Sequence, residues 1–418
     1  MGSSMTASAD TNRDGLIHDW NVAEGSFKPA FAPTFDDETL RDGLQSPSVT
    51  DPPLAKKQAL LDVMEELGIE TANLGLPGAG EQHRRDILEL CRHLTRTKAR
   101  LRPNVACRTV VSDIEPVRAM MDATGQSVLA CCFIGSSPIR QYAENWTIDV
   151  LLGHVEKSLT YARDQKIPVM FVTEDTTRAN PDDLRKLYGL AIDLGAERLC
   201  VCDTCGHATP TGVRNLVRFV KGIAEEKKAN VKIDWHGHRD RNLDLANCMA
   251  AVEAGAHQIH GAALGVGERA GNAPMDLILA NFLLLGWIER DLRPLARYVK
   301  LASEALGVPI PHNYPVFGND AFLTGTGVHA AAVVKALKKD DTWLADRVYS
   351  GVPAGHFGLG QRISVGYMSG KSNAAFWLER NGYQPTDALV QHILSSAKQG
   401  NHLFSDEELH NLARSFGR

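Results

Sequence analysis

The stretch PVMFVTEDTTRANPDDLRKLYGLAIDLGAERLCVCDTCGHATP, Pro168 to Pro210, holds the pattern that decides the fold. An apolar run, Pro168–Thr173, ends in the polar cluster TEDTTR (173–178). The periodic segment Pro181–Leu194 follows, with apolar residues spaced as one face of a helix. A second β-rich run, Glu197–Cys202, ends in another polar cluster, DTCGHATP (203–210). Strand, polar turn, helix, strand, polar turn is the repeating unit of a parallel sheet whose strands are covered by helices.

The unit recurs in both directions. Candidate strands lie near Ala32–Phe35, Gly68–Leu74, Arg102–Ala106, Ser127–Ile134, Pro168–Thr173, Glu197–Cys202, Val231–Trp235 and His257–Gly261, with helical segments such as Leu54–Leu67, Ile148–Gln165 and Leu243–Ala254 between them. In ALLDVMEELG apolar residues at helical spacing run into Gly68, a C-terminal stop. Eight strand–helix pairs over about 255 residues match the usual length of a (β/α)8 TIM barrel. An open doubly wound sheet would show the same alternation, but the glycine-rich dinucleotide turn is missing after the first strand. The polar clusters also fall where a barrel places chemistry: DETLRDG after the first strand, TEDTTR after the fifth, DTCGHATP after the sixth, HGH after the seventh and GVGERAGN after the eighth. Carboxyl ends of barrel strands share one mouth. The expected organisation is a flexible N-terminal arm over 1–30, a catalytic barrel over 31–286 and a mostly helical C-terminal subdomain over 287–418. Gly15–Trp20, GLIHDW, can alternatively pack on the body, and Met1–Thr6 formally fits an N-myristoylation pattern.

Composition narrows the class. Lys and Arg total 45 against 50 Asp and Glu, a net charge of −5 that gives no general reason to bind nucleic acid or anionic lipid. The 44% hydrophobic content with 23% charge supports a folded core. No apolar run approaches the ~20 residues of a membrane span. The eight cysteines sit scattered in apolar runs, which reads as reduced thiols and a cytoplasmic protein.

His236-Gly237-His238 is the sharpest local signal. Alternate residues on a strand face the same side, so both imidazoles can reach one cation. Alone the pattern is weak, and two structural histidines would explain it. Asp42 in TLRDG, at another strand end, changes that. Two imidazoles and one carboxylate leave coordination positions open, as a catalytic site requires. Mixed nitrogen and oxygen ligands suit Mg²⁺, Mn²⁺, Zn²⁺ or Co²⁺. The Cys202-Asp203-Thr204-Cys205 pair has no second thiol cluster to complete a tetrahedral site, so Cys200, Cys202 and Cys205 read as packing.

Together these motifs resemble the 2-isopropylmalate synthase, homocitrate synthase and citramalate synthase family of the DRE-TIM metallolyases, with hydroxymethylglutaryl-CoA lyase as a more distant relative. The similarity runs through DETLRDGLQ (37–45), FIGSSPIRQY (133–142), EDTTR (174–178), DTCGHATP (203–210) and His236–Asp276, then VFGNDAFLTGTGVHAAAVVKA (316–336) and VGYMSGKSNAAFWLERNGY (365–383). The resemblance implies a Claisen-type condensation. The methyl carbon of acetyl-CoA, or of another short acyl-CoA, is joined to the ketone of a 2-oxo acid, and the thioester is then hydrolysed. It assigns Asp42, His236 and His238 to the divalent metal, with Asn272 of the GVGERAGN loop beside it. Arg41 would meet the ketone oxygen and Thr204 the acceptor carboxylate. Glu174 and, from the C-terminal subdomain, His329 and Tyr349 would act in proton transfer, although the spacing around YSGVP fits the family imperfectly. Because that subdomain serves the partner's active site in relatives, a domain-swapped homodimer is implied. Gln45, Asn73 and Arg108 are further candidates for substrate contact. Arg108 is either a receptor for a second acceptor carboxylate or a general active-site arginine. Glu268 and Arg269 read as a pair that shapes the loop.

Departures from the family also matter. Its second strand usually reads IE-x-G-x-P, whereas ANLGLP here puts Asn73 at the glutamate position. Leu44 in DGLQ matches the lyase branch, which makes the reverse carbon–carbon cleavage the alternative reading; against it, the GERAGN loop carries no cysteine. A catalytically silent 2-oxo acid or CoA sensor is a third. The chain is also expected to lack the leucine-binding regulatory domain of typical 2-isopropylmalate synthases.

Overall fold

The computed structural model describes Arg13, residues 15–22 and residues 27–416. The myristoylation pattern and much of the expected arm fall outside the described residues. Within Gly15–Trp20, Leu16, Ile17 and Trp20 are exposed.

Eight parallel strands close into a barrel: β1 Thr34–Asp37, β2 Thr71–Asn73, β3 Arg102–Arg108, β4 Leu129–Gly135, β5 Val169–Glu174, β6 Arg198–Asp203, β7 Lys232–Gly237 and β8 Gln258–Gly261. Closure is made by β1 against β8, in register from Thr34 opposite Gln258 to Asp37 opposite Gly261. The TIM barrel read from the alternation is the fold. Its helices form where the sequence supplies the signals. Helix α1 (Leu54–Glu66) buries Leu60, Leu61, Val63 and Met64, and the chain leaves it through Gly68 at φ +71°, a conformation that favours glycine. The outer layer continues with α2 Glu81–Thr97, α3 Val111–Thr124, α4 Pro138–Glu144 and α5 Ile148–Asp164. Helix α6 (Pro181–Asp193) opens with Pro181 after an Asn180 cap, and α7 (Pro210–Glu226) with Pro210 after a Thr209 cap. Helix α8 (Asp244–Ala254) leads back to β8, and α9 (Met275–Leu284) and α10 (Leu295–Leu306) follow it.

The barrel interior is unusually polar. Asp36 Oδ1 accepts from Thr71 Oγ1 at 2.5 Å and Asn104 Nδ2 at 2.6 Å, and Gln258 Nε2 donates to Thr71 Oγ1 at 2.9 Å. Asp234 and His260 lie in the same buried layer, 3.2 Å apart. Each of these groups finds a partner across the strands, although Asp36 Oδ2 and Gln258 Oε1 have no hydrogen bond among the described residues.

This unit spans Phe27–Pro309. The second compact unit, Ile310–Arg418 with the described residues before Phe27, is mostly helical: α11 Gly327–Leu337, α12 Thr342–Arg347, α13 Lys371–Arg380, α14 Asp387–Gln399 and α15 Asp406–Ser415. One of its cores joins Trp377, Leu378, Ile393, Leu394 and Leu409; another joins Ala330, Val333, Ala345 and Ile363. Arg13 is tied to this unit by Asp341 Oδ1 at 2.6 Å. No helix among the described residues is long and apolar enough to cross a membrane. All eight cysteines are free thiols.

Candidate active site

All eight strands, or the turns after them, line a cavity of about 420 Å³ in the barrel unit, and Arg41, Asp42, Gln45, Asn73, Glu174, Thr204, His236 and His238 are all on its wall. After β1 the chain turns tightly: the N–H groups of Arg41 and Gly43 both donate to the carbonyl of Glu38, at 3.1 and 3.0 Å. That turn points Arg41 and Asp42 at the end of β7. There His236 and His238, two residues apart, bring their Nε2 atoms within 3.3 Å of each other. Asp42 Oδ2 lies 3.9 Å from His236 Nε2 and 3.8 Å from His238 Nε2.

The electrostatics match a cation site. Burial lowers both histidines, His236 to about 3, so their rings are neutral and hold lone pairs. Burial works against the Asp42 charge, but the Arg41 guanidinium and the hydrogen bond from Asn272 favour it, and the carboxyl is held below its usual range. Asn272 Nδ2 donates to Asp42 Oδ1 at 2.8 Å and to the Val266 carbonyl, while Asn272 Oδ1 is buried with no hydrogen-bond partner among the described residues. The loop makes room through Gly267, where a Cβ would stand 2.1 Å from Asn272 Nδ2 and 2.6 Å from Asp42 Oδ1. Asp42, His236 and His238 offer ligand atoms within 4.8 Å of one another, and an acceptor oxygen with no other use lies beside them. The donor set fits a divalent metal with open positions.

Around the trio, Arg41 Nη1 donates to Asp42 Oδ2 at 2.9 Å and its Nε to Glu38 Oε2 at 2.7 Å. The Thr204 hydroxyl oxygen accepts from the Asp175 N–H at 2.8 Å, which leaves its O–H proton to donate elsewhere. Asp203 holds this loop by accepting from Thr177 Oγ1 and the N–H groups of His207 and Ala208. Glu174, at the end of β5, is raised by burial, and Arg140 Nε sits 3.4 Å away.

Within the barrel unit, one of the sequence candidates for substrate contact is not on this wall. Arg108 ends β3, but its Nε and Nη2 both donate to Asp113 at 2.8 Å, its side chain is 60% exposed, and it is not on the wall. His329 and Tyr349 lie in the C-terminal unit, both exposed and stacked with ring centroids 4.0 Å apart. Glu268 lines the cavity, while Arg269 bonds Asp240 at 2.9 Å and stands 3.8 Å from Glu268, so the loop is shaped by Arg269–Asp240 more than by the expected pair.

Sequence reading also missed residues. Glu38, Arg140 and His260 line the cavity, as does a sulfur-rich wall of Cys131, Met170, Cys200 and Cys202. Glu38 and Arg140 lie inside the quoted motifs; His260 becomes visible only when β8 meets β1. The metal-competent groups among the described residues contain no cysteine.

The barrel segment, residues 32–298, matches the HMGL-like family. Over 87% of this chain, a homocitrate synthase AksA of Methanopyrus kandleri is 28% identical, with 86% of its own length covered. A 2-isopropylmalate synthase of Sulfurisphaera tokodaii is 30% identical over 87% of this chain and 89% of its own length. A probable 2-isopropylmalate synthase of Methanopyrus kandleri is 31% identical over 87% of this chain and 68% of its own. Among solved structures, HMG-CoA lyases of Brucella melitensis and Pseudomonas aeruginosa share the fold with TM-scores of 0.54 at 18% and 17% identity; each covers 66% of this chain, and 99% and 93% of the lyase. The chain belongs to the HMGL-like family, as an acyltransferase of the 2-isopropylmalate/homocitrate synthase type.

Proposed function

We propose that the protein condenses acetyl-CoA, or another short acyl-CoA, with a 2-oxo acid and hydrolyses the thioester, releasing CoA and a 2-hydroxy di- or tricarboxylic acid in the manner of 2-isopropylmalate synthase. One observation carries this: Asp42, His236 and His238 converge beside Arg41, Thr204 and Glu174 on one cavity wall. Asp42, His236, His238 and Asn272 would hold a divalent cation, which when bound supplies Lewis-acid polarisation of the acceptor ketone. Arg41 presents a fixed guanidinium to the negative charge that develops on the ketone oxygen as the new carbon–carbon bond forms. Thr204 donates its free O–H to the acceptor carboxylate. Glu174, whose proton affinity is raised by burial, is suited to take a proton from the acyl methyl group.

His329 and Tyr349 belong to this reading as groups delivered by the C-terminal unit of a second subunit in a domain-swapped homodimer. Their exposed, stacked rings suit a role outside their own unit. The acceptor we favour has an apolar side chain, because Cys131, Met170, Cys200 and Cys202 form the soft wall of the cavity and Arg108 is committed to Asp113. The free thiols agree with a cytoplasmic setting.

Release of free CoA thiol from acetyl-CoA tests the reading. It is measured with Mg²⁺, Mn²⁺, Zn²⁺ or Co²⁺ across 2-oxoisovalerate, pyruvate, 2-oxoglutarate and aromatic 2-oxo acids. Release that depends on one of these acceptors supports it. No release with any of them contradicts it.

A further inference from the structure

Arg41 is held from behind by a buried chain of charges to which the motif reading gives no role. Its Nε donates to Glu38 Oε2 at 2.7 Å. The other oxygen of that carboxylate, Oε1, stands 3.3 Å from His260 Nδ1 and 3.5 Å from Asn73 Nδ2. His260 Nε2 lies 3.2 Å from Asp234 Oδ2, and Asp234 is gripped by Arg198 at 2.6 Å. Glu38, His260 and Asp234 are at most 3% exposed.

Strand register explains how these residues meet. Asp36 pairs with His260 across the β1–β8 closure, so His260 comes to stand beside the chain leaving β1. Asp37 pairs with Ala72, which puts the next residues, Glu38 and Asn73, side by side. The second-strand position that is usually glutamate in the resembled family is therefore occupied by an amide, and a carboxylate stands directly beside it on the first strand.

We infer that Glu38, anchored by His260, is the residue that positions the Arg41 guanidinium at the reacting ketone. The inference rests on the role proposed for Arg41 above. Asp42 cannot replace Glu38 in this, because Asp42 also accepts from Asn272 and faces both histidines. With a neutral residue at position 38, Arg41 keeps Asp42 as its one charged partner and its guanidinium is no longer fixed at two points. The charge it meets develops after the substrate is bound, so the loss falls on kcat and leaves KM nearly unchanged.

The test compares wild type, Glu38→Gln and the exchange variant Glu38→Gln/Asn73→Glu, which places the carboxylate on the neighbouring second strand and keeps the buried charge count. Two readouts are taken: steady-state kinetics with the best 2-oxo acid, and the Arg41 Nε–H resonance in a ¹⁵N spectrum, assigned by its loss in Arg41→Lys. Glu38→Gln should lower kcat by roughly 30-fold or more, with KM within about threefold, and should shift the Arg41 resonance upfield. The exchange variant should recover about tenfold in kcat and return the resonance toward its wild-type position. Wild-type kcat and an unmoved resonance in Glu38→Gln overturn the inference, as does a folded exchange variant that recovers neither. If Glu38→Gln does not fold, the exchange variant decides alone by the position of its Arg41 resonance. If wild type turns over no 2-oxo acid, the proposed reaction fails, and the resonance still decides whether Glu38 clamps Arg41.

Discussion

Asn272 and Asp42, 230 positions apart in the chain, are joined by a 2.8 Å hydrogen bond from Asn272 Nδ2 to Asp42 Oδ1. The bond fixes which carboxylate oxygen is spent on structure and turns Oδ2 toward His236 and His238. It also requires the backbone of Gly267 to pass where no side chain fits.

Asn272→Ala should therefore weaken metal binding without removing it. Partners that orient a ligand typically contribute about 10- to 100-fold in affinity. Calorimetric titration of Mn²⁺ into chelator-treated protein should show a loss in that range for Asn272→Ala. An unchanged affinity would leave the Asn272–Asp42 bond without a role at the site.

Glu174 gives a pH prediction. Burial raises its pKa, so its carboxylate is lost as pH falls through that raised value, and kcat should fall with it. Glu174→Gln should lower kcat by about 10²- to 10⁴-fold and remove that acid limb. A variant that keeps the limb assigns the proton transfer to another group.

Asp37 links pH to stability. Burial pushes its pKa up to about 7, against hydrogen bonds from the Thr39 N–H and Tyr298 Oη. The unfolded chain ionises Asp37 from about pH 4, while the folded protein keeps it protonated until about pH 7. Its contribution to stability is thus complete below pH 4 and declines as pH rises to 7, by up to about 1.4 kcal/mol per pH unit. Urea unfolding at pH 4.5 and 7.0 should show this decline in wild type relative to Asp37→Asn. Parallel profiles for the two proteins would contradict it.

Much of the site could be read from the chain because chemistry at a barrel mouth leaves polar residues at strand ends. Asp42, His236 and His238 stand out for that reason, and the closed barrel brings them together as the strand count required. The charge chain behind Arg41 was not legible. His260 and Glu38 become neighbours only through the β1–β8 register, and a buried histidine in QIHG looks like any core residue. Arg108 shows the opposite failure. Its place at a strand end suggested a substrate contact, but Asp113, at the start of the following helix α3, captures the Nε–Nη2 edge of its guanidinium with both carboxylate oxygens. The sulfur wall was hidden because a cysteine pointing into a cavity and one packed against a helix have the same sequence signature.

Mixing inactive partners tests the dimer. Asp42→Ala removes a metal ligand from one unit, and His329→Ala removes a ring from the other. If His329 serves a second subunit's cavity, exchange of the two inactive proteins should restore about a quarter of wild-type activity, since one mixed site in each heterodimer is intact. Two variants that stay inactive after verified subunit exchange would place His329 in its own subunit's chemistry or outside it.

The central claim is that one divalent cation, held by Asp42, His236 and His238, is required for condensation. The most direct measurement titrates Mn²⁺ into chelator-treated enzyme while following both bound metal and CoA release. Both should rise together and saturate at one ion per chain, and folded Asp42→Ala and His238→Ala proteins should show neither. CoA release that persists in chelator, or in the Asp42→Ala protein, would contradict the account.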